Sequence, residues 1–196
     1  ILIQNASTVG LLDLNILPSQ KGDDFSFFNN LENKKFKFLY LLGSDNLDFK
    51  KNNEFILYQG SHGDRGAEIA DIVLPSATYT EQNGLYENLE GRVQECKKAS
   101  YPIGEALEDW KIFNRIIKKI GDIENLTNFD QLRKEVLNSI PNFSHLNQLP
   151  TLSEAQNKTV QTNFISENIL VRELDYYYTN SISRASKTMS ACRHSR

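Results

Sequence analysis

Three short apolar runs separated by polar stretches organise the first half of the chain. "FKFLYLLGSDN" is closed by Gly43 and the turn formers Ser44, Asp45 and Asn46, which predicts a strand buried on both faces. "EFILYQG" repeats the design after about ten polar residues, and "DIVLP" at 71–75 is a third, shorter run closed by Pro75. Such spacing predicts a parallel sheet with helices packed on its layers. Residues 20–34, "QKGDDFSFFNNLENK", read as a loop or short helix on the surface.

The pattern then changes. Asn83-Gly84 is a turn signal, and "LYENLEGRVQ" offers two extended pieces around Glu90-Gly91, predicting an irregular β-hairpin. From Glu105 to Ile120 the period is helical: Trp110, Phe113, Ile117 and Ile120 share one face, with Glu105, Glu108 and Asp109 in the first turn and Lys118 and Lys119 in the last. A second helix is predicted from Phe129 to Ile140, with Phe129, Leu132, Val136 and Ile140 buried, Asn128 as N-cap and Gln131 three residues on. Past Pro150 the chain turns polar, with isolated anchors at Phe164, Ile169, Leu170 and Val171. The fold class is therefore α/β: parallel-sheet layers flanked by helices over residues 1–141, with the irregular hairpin. Residues 142–196 read as an extended C-terminal tail that clasps this domain or a neighbour, with one short helix near Ser183 to Cys192 where Ile182, Met189 and Cys192 share a face.

Composition narrows the function classes. The 196 residues are 39% hydrophobic and 24% charged, as in a soluble globular protein. A net charge of −3 with scattered Lys and Arg leaves no basic footprint for nucleic acid. No apolar run approaches the roughly 20 residues of a bilayer span. Two cysteines, Cys96 and Cys192, and three histidines, His62, His145 and His194, do not assemble at the spacings of an iron–sulfur cluster or a structural zinc site. Neither a secretory signal nor a transit peptide is legible in "ILIQNASTVGLLDLN". The bias toward Asn, Lys, Ile, Phe and Tyr, whose codons are AT-rich, points toward an organellar gene.

The conspicuous candidate site is Gly60, Gly63 and Gly66, which follow a predicted strand where open α/β sheets bind ligands. Their spacing fails G-x-G-x-x-G, and no Lys-Ser pair completes a phosphate loop; Asp64 would repel a phosphate unless Arg65 neutralised it. A structural Gly-rich turn is the better reading. His62 has no neighbouring nucleophile or orienting carboxylate, so a backbone-bonded loop histidine is favoured over a catalytic one. Glu68, Asp71, Glu81, Glu87 and Glu90 have no spacing that demands a metal or an acid–base pair. Arg92 is read as a guanidinium that bridges carboxylates and fixes the hairpin loop. Trp110 is read as core, and "RASK" at 184–187 as a chance match to a basophilic phosphorylation motif.

Taken together, "NASTVGLLDLN", "FLYLLGSDNLD", "FILYQGSHGDRGAEIADIVLPSATYTEQNGLYENLEGRVQ", "PIGEALEDWKI" and "DYYYTNSISRASKTMSAC" resemble the C-terminal, molybdopterin-oxidoreductase-like region of the 75-kDa iron–sulfur subunit family of respiratory complex I. Residues 20–34 and 142–168 are the divergent stretches. The resemblance implies a non-catalytic structural component of the peripheral arm, on the matrix side of the mitochondrial inner membrane or the cytoplasmic face of a bacterial one. It implies no catalytic, cofactor-binding or metal residue and no cofactor in this chain. Iron–sulfur clusters are expected on the family's N-terminal half, here expected as a separate partner chain from a split gene rather than by cleavage, with other peripheral-arm subunits as further partners. Neither Cys96 nor Cys192 stands where the wider superfamily holds its molybdenum. The alternatives are a degenerate fragment that still binds a pterin and a nucleotide-binding module using the 60–66 loop.

Overall fold

The computed structural model describes residues 8–16, 27–44, 47, 49–121, 126, 128–149 and 175–195. The three apolar runs form the strands β1 (Phe38–Leu42), β2 (Phe55–Gly60) and β3 (Ile72–Pro75). They pair in the order β1-β2-β3, all parallel, with Phe38 beside Phe55 and Leu57 beside Ile72. Asp71 locks the register where β3 begins: its backbone N–H donates to the Ile56 carbonyl at 2.8 Å, and its carboxylate accepts from the Ile56 N–H at 2.8 Å.

Burial on both faces holds only in part. Side chains alternate across a strand, and one face carries Leu39, Leu41, Ile56 and Tyr58 into the core. On the outer strands Phe38 and Leu42 remain 53% and 50% exposed, and Ile72 and Val73 are exposed as well. Only the central strand β2 has consecutive buried residues, Tyr58 and Gln59.

The helices supply the core's cover. Within the described residues, a short helix α1 (Thr8–Asp13) opens the chain, where the sequence indicated no element. The helix α2 (Phe27–Glu32) lies in the segment expected at the surface, yet it packs inward. Leu31 is 4% exposed in the cluster with Leu39, Leu41, Ile56 and Tyr58, and the Phe27 ring lies 5.6 Å from Phe36 and 6.2 Å from Phe49. Phe27 and Phe36 are sheet cover, since aromatic pairs bury large apolar area. The single turn of α3 (Arg65–Glu68) links β2 to β3.

Strands β4 (Gly84–Glu87) and β5 (Val93–Cys96) form the expected antiparallel hairpin. Its turn is at 88–92, around Glu90-Gly91 as expected, where Gly91 has φ +79°. Gly84 begins β4, and Asn83 Oδ1 accepts from the Lys98 N–H at 2.9 Å, tying off the open end.

The helix α4 (Asp109–Ile120) starts four residues later than its acidic run suggests. Gly104 takes φ +61°, and Leu107 is drawn into a parallel bridge with Ser76, donating to the Pro75 carbonyl at 3.2 Å and accepting from Ala77 at 2.9 Å. An extended residue beside β3 cannot also be helical, so Glu108 becomes the N-cap. The buried face also turns: Ile112 is 6% exposed, whereas Ile117 and Ile120 are 37% and 81% exposed, and Trp110 is only half-buried. The helix α5 (Phe129–Ser139) begins as expected at Asn128, whose side chain accepts from the Gln131 N–H. A 3-10 turn, Pro141–Ser144, follows and buries Phe143.

The chain falls into two units, Ile1–Pro150 and Thr151–Arg196. Among the described residues of the second, two helices, α6 (Ser181–Ala185) and α7 (Lys187–His194), stand where one was expected. Ser186 breaks the run by capping α7, accepting from the Met189 N–H at 3.3 Å, and Asn180 with Ser183 forms a capping box on α6. The anchors Phe164, Ile169, Leu170 and Val171 lie outside the described residues.

The turned face of α4 is testable by paired substitutions. Ile112→Ala should cost about 2–5 kcal/mol, and Ile120→Ala should stay within about 0.5 kcal/mol of the parent, both read from urea unfolding midpoints.

Candidate functional site

Open α/β sheets place ligands beyond the carboxyl ends of their strands, so the loops after β1, β2 and β3 are where chemistry would be built. Here those loops return onto the sheet. The Gly43 N–H donates to the Gln59 carbonyl at 2.8 Å and the Ser76 N–H to the Gly60 carbonyl at 3.0 Å, continuing the strand ladder.

The three glycines differ in role. A methyl on Gly60 would collide with the hydroxyl and ring of Tyr58. One on Gly66 would lie 2.6 Å from the Ser44 carbonyl oxygen and 3.1 Å from the Tyr58 ring. Gly63 has nothing within 4 Å of its missing side chain. Gly60 and Gly66 thus admit the buried Tyr58 ring, whose hydroxyl donates to the His62 carbonyl at 2.8 Å. His62 Nδ1 sits 2.9 Å from Ser61 Oγ, and Asp64 caps α3 by accepting from the Arg65 N–H at 2.9 Å. These groups serve the loop itself.

The acidic candidates are not brought together. Asp71 also accepts from Lys51 Nζ at 2.5 Å, and the Ile56 N–H followed by this lysine holds its carboxyl below the usual range. Glu81 accepts from the Thr78 N–H at 3.2 Å. Glu68 is exposed on α3. Glu90 stays in the hairpin turn, its N–H donating to Asn88 Oδ1 at 3.0 Å. That turn is held by Asn88, which also accepts from the Arg92 N–H at 2.9 Å. The guanidinium expected to fix the loop does not do so, and Arg92 Nε is buried without a partner. Glu87 faces α1, where a methyl on Gly10 would come within 3.8 Å of it. Burial, then the neighbouring Asp13 carboxyl, pushes its acid up to about 7.

Residues that sequence reading passed over form the best-connected polar cluster. Gln59, wholly buried on β2, accepts from the Tyr40 hydroxyl and donates to Asp109 Oδ1 at 2.6 Å. Gln82 donates to Asp109 Oδ2 at 2.9 Å and accepts from the Asp109 N–H at 3.1 Å. Burial, then Asp109, raises the Tyr40 hydroxyl above its ordinary value, so it stays a donor. The one sequence signal was a glutamine inside an apolar run. Beside this cluster the buried Glu108 accepts from Trp110 Nε1 at 2.9 Å, Lys111 Nζ at 3.1 Å and Lys98 Nζ at 3.1 Å. Burial alone would raise its carboxyl, but these three donors outweigh it and hold it low. The first cluster ties α4 to the sheet and to Gln82 before the hairpin, and the second ties the start of α4 to Lys98 beyond it.

Residues 1–119 match the family model described as molybdopterin oxidoreductase. The chain belongs to this family. Residues 140–192 match a second model, which describes the C-terminal part of the NADH-ubiquinone oxidoreductase G subunit. Over 98% of its length the chain is 36% identical to the NADH-ubiquinone oxidoreductase 75 kDa subunit of Reclinomonas americana, covering 28% of that protein. It is 36% identical to the NADH-quinone oxidoreductase G subunit of Rickettsia typhi, with 98% of this chain and 27% of the relative covered. The G subunit of Rickettsia bellii is 39% identical at the same two coverages, 98% and 27%. The chain thus spans just over a quarter of the length of the curated relatives it matches.

The family name implies a pterin and a metal, and the described residues at the ends of β2 and β3 do not fit them. The faces of Gly60 and Gly66 are occupied by Tyr58 and the Ser44 carbonyl. Among the described residues no group of three or more His, Cys, Asp or Glu is placed to hold a metal ion. Cys96 lies at the end of β5 and Cys192 within α7.

Two outcomes follow. Gly66→Ala should destabilise the fold by about 1–3 kcal/mol by overpacking against backbone, while Gly63→Ala should be near neutral, compared by denaturant melts. For Glu87, a folded-state acid near 7 against an ordinary 4.5 means the folded chain keeps a proton the unfolded chain has released. Its stabilisation is complete below about pH 4.5 and lost as pH rises through about 7. Glu87→Gln should flatten the fall in thermal midpoint between about pH 5 and about pH 8.

Proposed function

We propose that this chain is the molybdopterin-oxidoreductase-like part of a structural subunit in the peripheral arm of respiratory complex I, carrying no catalytic residue or cofactor of its own. The observation that carries the reading is the match along 98% of the chain to proteins named as the 75 kDa subunit or the G subunit of NADH-ubiquinone and NADH-quinone oxidoreductases. The second family match over residues 140–192, to the C-terminal model of the G subunit, supports the same assignment for the end of the chain. Loops closed by Tyr58 suit a platform better than a cofactor cradle.

In this reading the chain packs on the cluster-bearing part of the same subunit, which holds the iron–sulfur clusters, and on other peripheral-arm subunits. It supports NADH-to-ubiquinone electron transfer coupled to proton translocation without carrying electrons. Its place is the matrix side of the mitochondrial inner membrane, or the cytoplasmic face in a bacterium. Among the described residues no helix is long and apolar enough to cross a membrane, so attachment would come through neighbouring subunits.

A degenerate pterin-binding fragment is the second reading, favoured by the molybdopterin oxidoreductase match over residues 1–119. Purification of intact, active complex I with identification of its subunits should find this chain present, and its absence would sink the proposal. Metal analysis of the isolated chain should find neither molybdenum nor tungsten; a stoichiometric amount of either would favour the second reading.

A further inference from the structure

The helix α1 meets the hairpin through a pair of acids. Gly10 lets its backbone approach β4, since a methyl there would lie 3.8 Å from both Cβ and Oε2 of Glu87. Asp13 stands three residues on, which places it on the same side of the helix, and its carboxyl shares a hydrogen bond with that of Glu87. Two carboxyls can share such a bond only while one of them keeps a proton, because a carboxylate accepts and cannot donate. The second oxygen of Glu87 argues the same way. Oε2 is buried without a hydrogen-bond partner, a setting far costlier for a carboxylate than for a neutral acid. The docked state therefore holds a proton.

Apolar burial does little to hold α1. None of its residues is buried, and Leu11, Leu12, Leu14 and Ile16 are exposed. Its six residues are also too few for a helix to persist alone in water, where about 12–15 are marginal, so undocking melts it. The other charged groups near Glu87 do not take the place of the proton. Glu95, two residues along β5 from the Val93 that pairs with Glu87, is engaged by Arg133 of α5 at 2.6 Å. Glu90 and Arg92 sit in the adjoining turn, and among the described residues the group that acts on the Glu87 acid is Asp13. Tyr86 falls on the opposite face of the strand. We propose that Glu87 and Asp13 form a proton-operated latch, which holds α1 on the hairpin and frees residues 8–16 when the shared proton is lost to solvent.

The direction follows from the two states. Docked, the acid stays protonated up to about pH 7, and released, Glu87 returns to an ordinary 4.5. Between those values undocking releases one proton, so the undocked population rises about tenfold per pH unit and levels off above about pH 7.

The test is hydrogen exchange of the full chain, read by mass spectrometry over residues 8–16 and corrected for the intrinsic pH dependence of exchange. The Leu14, Asn15 and Ile16 amides donate to the Gly10, Leu12 and Leu11 carbonyls, so their protection reports the helix. It should fall about a hundredfold between about pH 5 and about pH 8, with the amides of β2 more strongly protected at both. Glu87→Gln keeps a neutral side chain that can donate to Asp13, and its protection over 8–16 should stay constant across the same range. Carboxyl chemical shifts of the unmutated chain give a second readout should that variant fail to fold: Glu87 should titrate at about 7. Equal protection of 8–16 at the two pH values, the same loss in Glu87→Gln, or a Glu87 titration at its ordinary 4.5 would each overturn the latch. Protection over 8–16 that matches β2 throughout would overturn it too, since opening would then be global.

Discussion

Tyr58 is the residue against which the first unit is built. Only 2% exposed, it stands in the core with Leu31, Leu39, Leu41 and Ile56, and its ring occupies the space that side chains at positions 60 and 66 would need. Its hydroxyl reaches the His62 carbonyl, so one side chain fills the core, fixes the path of the loop and satisfies a loop acceptor. A buried aromatic with a polar tip suits this position because the ring is apolar and the hydroxyl requires a partner.

The next residue does the corresponding work on the other face. Gln59 is wholly buried and joins Tyr40 on β1 to Asp109 at the start of α4, while Gln82, just before the hairpin, bonds both the carboxylate and the N–H of Asp109. A buried amide left with unpaired groups costs more than a neutral hydrogen bond returns, so such a network acts chiefly to specify one position for α4. Alternation along β2 thus sends Tyr58 into the hydrophobic core and Gln59 to the polar network on the other face.

These two anchors bear on function through what they leave available. In a family whose name refers to a pterin, the strand-end loops here are spent on the fold: the glycines accommodate Tyr58, and the buried acid Glu108 is engaged by two lysines and a tryptophan. Apolar residues left exposed include Phe38, Phe55 and Ile72 on the sheet and Ile117 and Ile120 in the last turns of α4.

Much of this was legible in local pattern. The three apolar runs, the hairpin, and the helix capped by Asn128 follow from periodicity and turn chemistry, which act between residues close in sequence. The family resemblance was likewise carried by contiguous motifs such as "SHGDRGAEIADIVLP". What eluded local reading were distant pairings. Leu107 is extended because Pro75 and Ala77 offer it partners; Phe27 and Leu31 turn inward because the sheet lies beneath them; Gln59 is buried because Tyr40 and Asp109 meet it there. The glycine spacing alone excluded the standard phosphate templates, but the purpose of Gly60 and Gly66 required the position of Tyr58 in space. The sequence by itself determined which segments could be strand, turn or helix. The tertiary structure decided which faces were buried and which polar groups were paired, because burial and pairing depend on residues brought together from far apart in the chain.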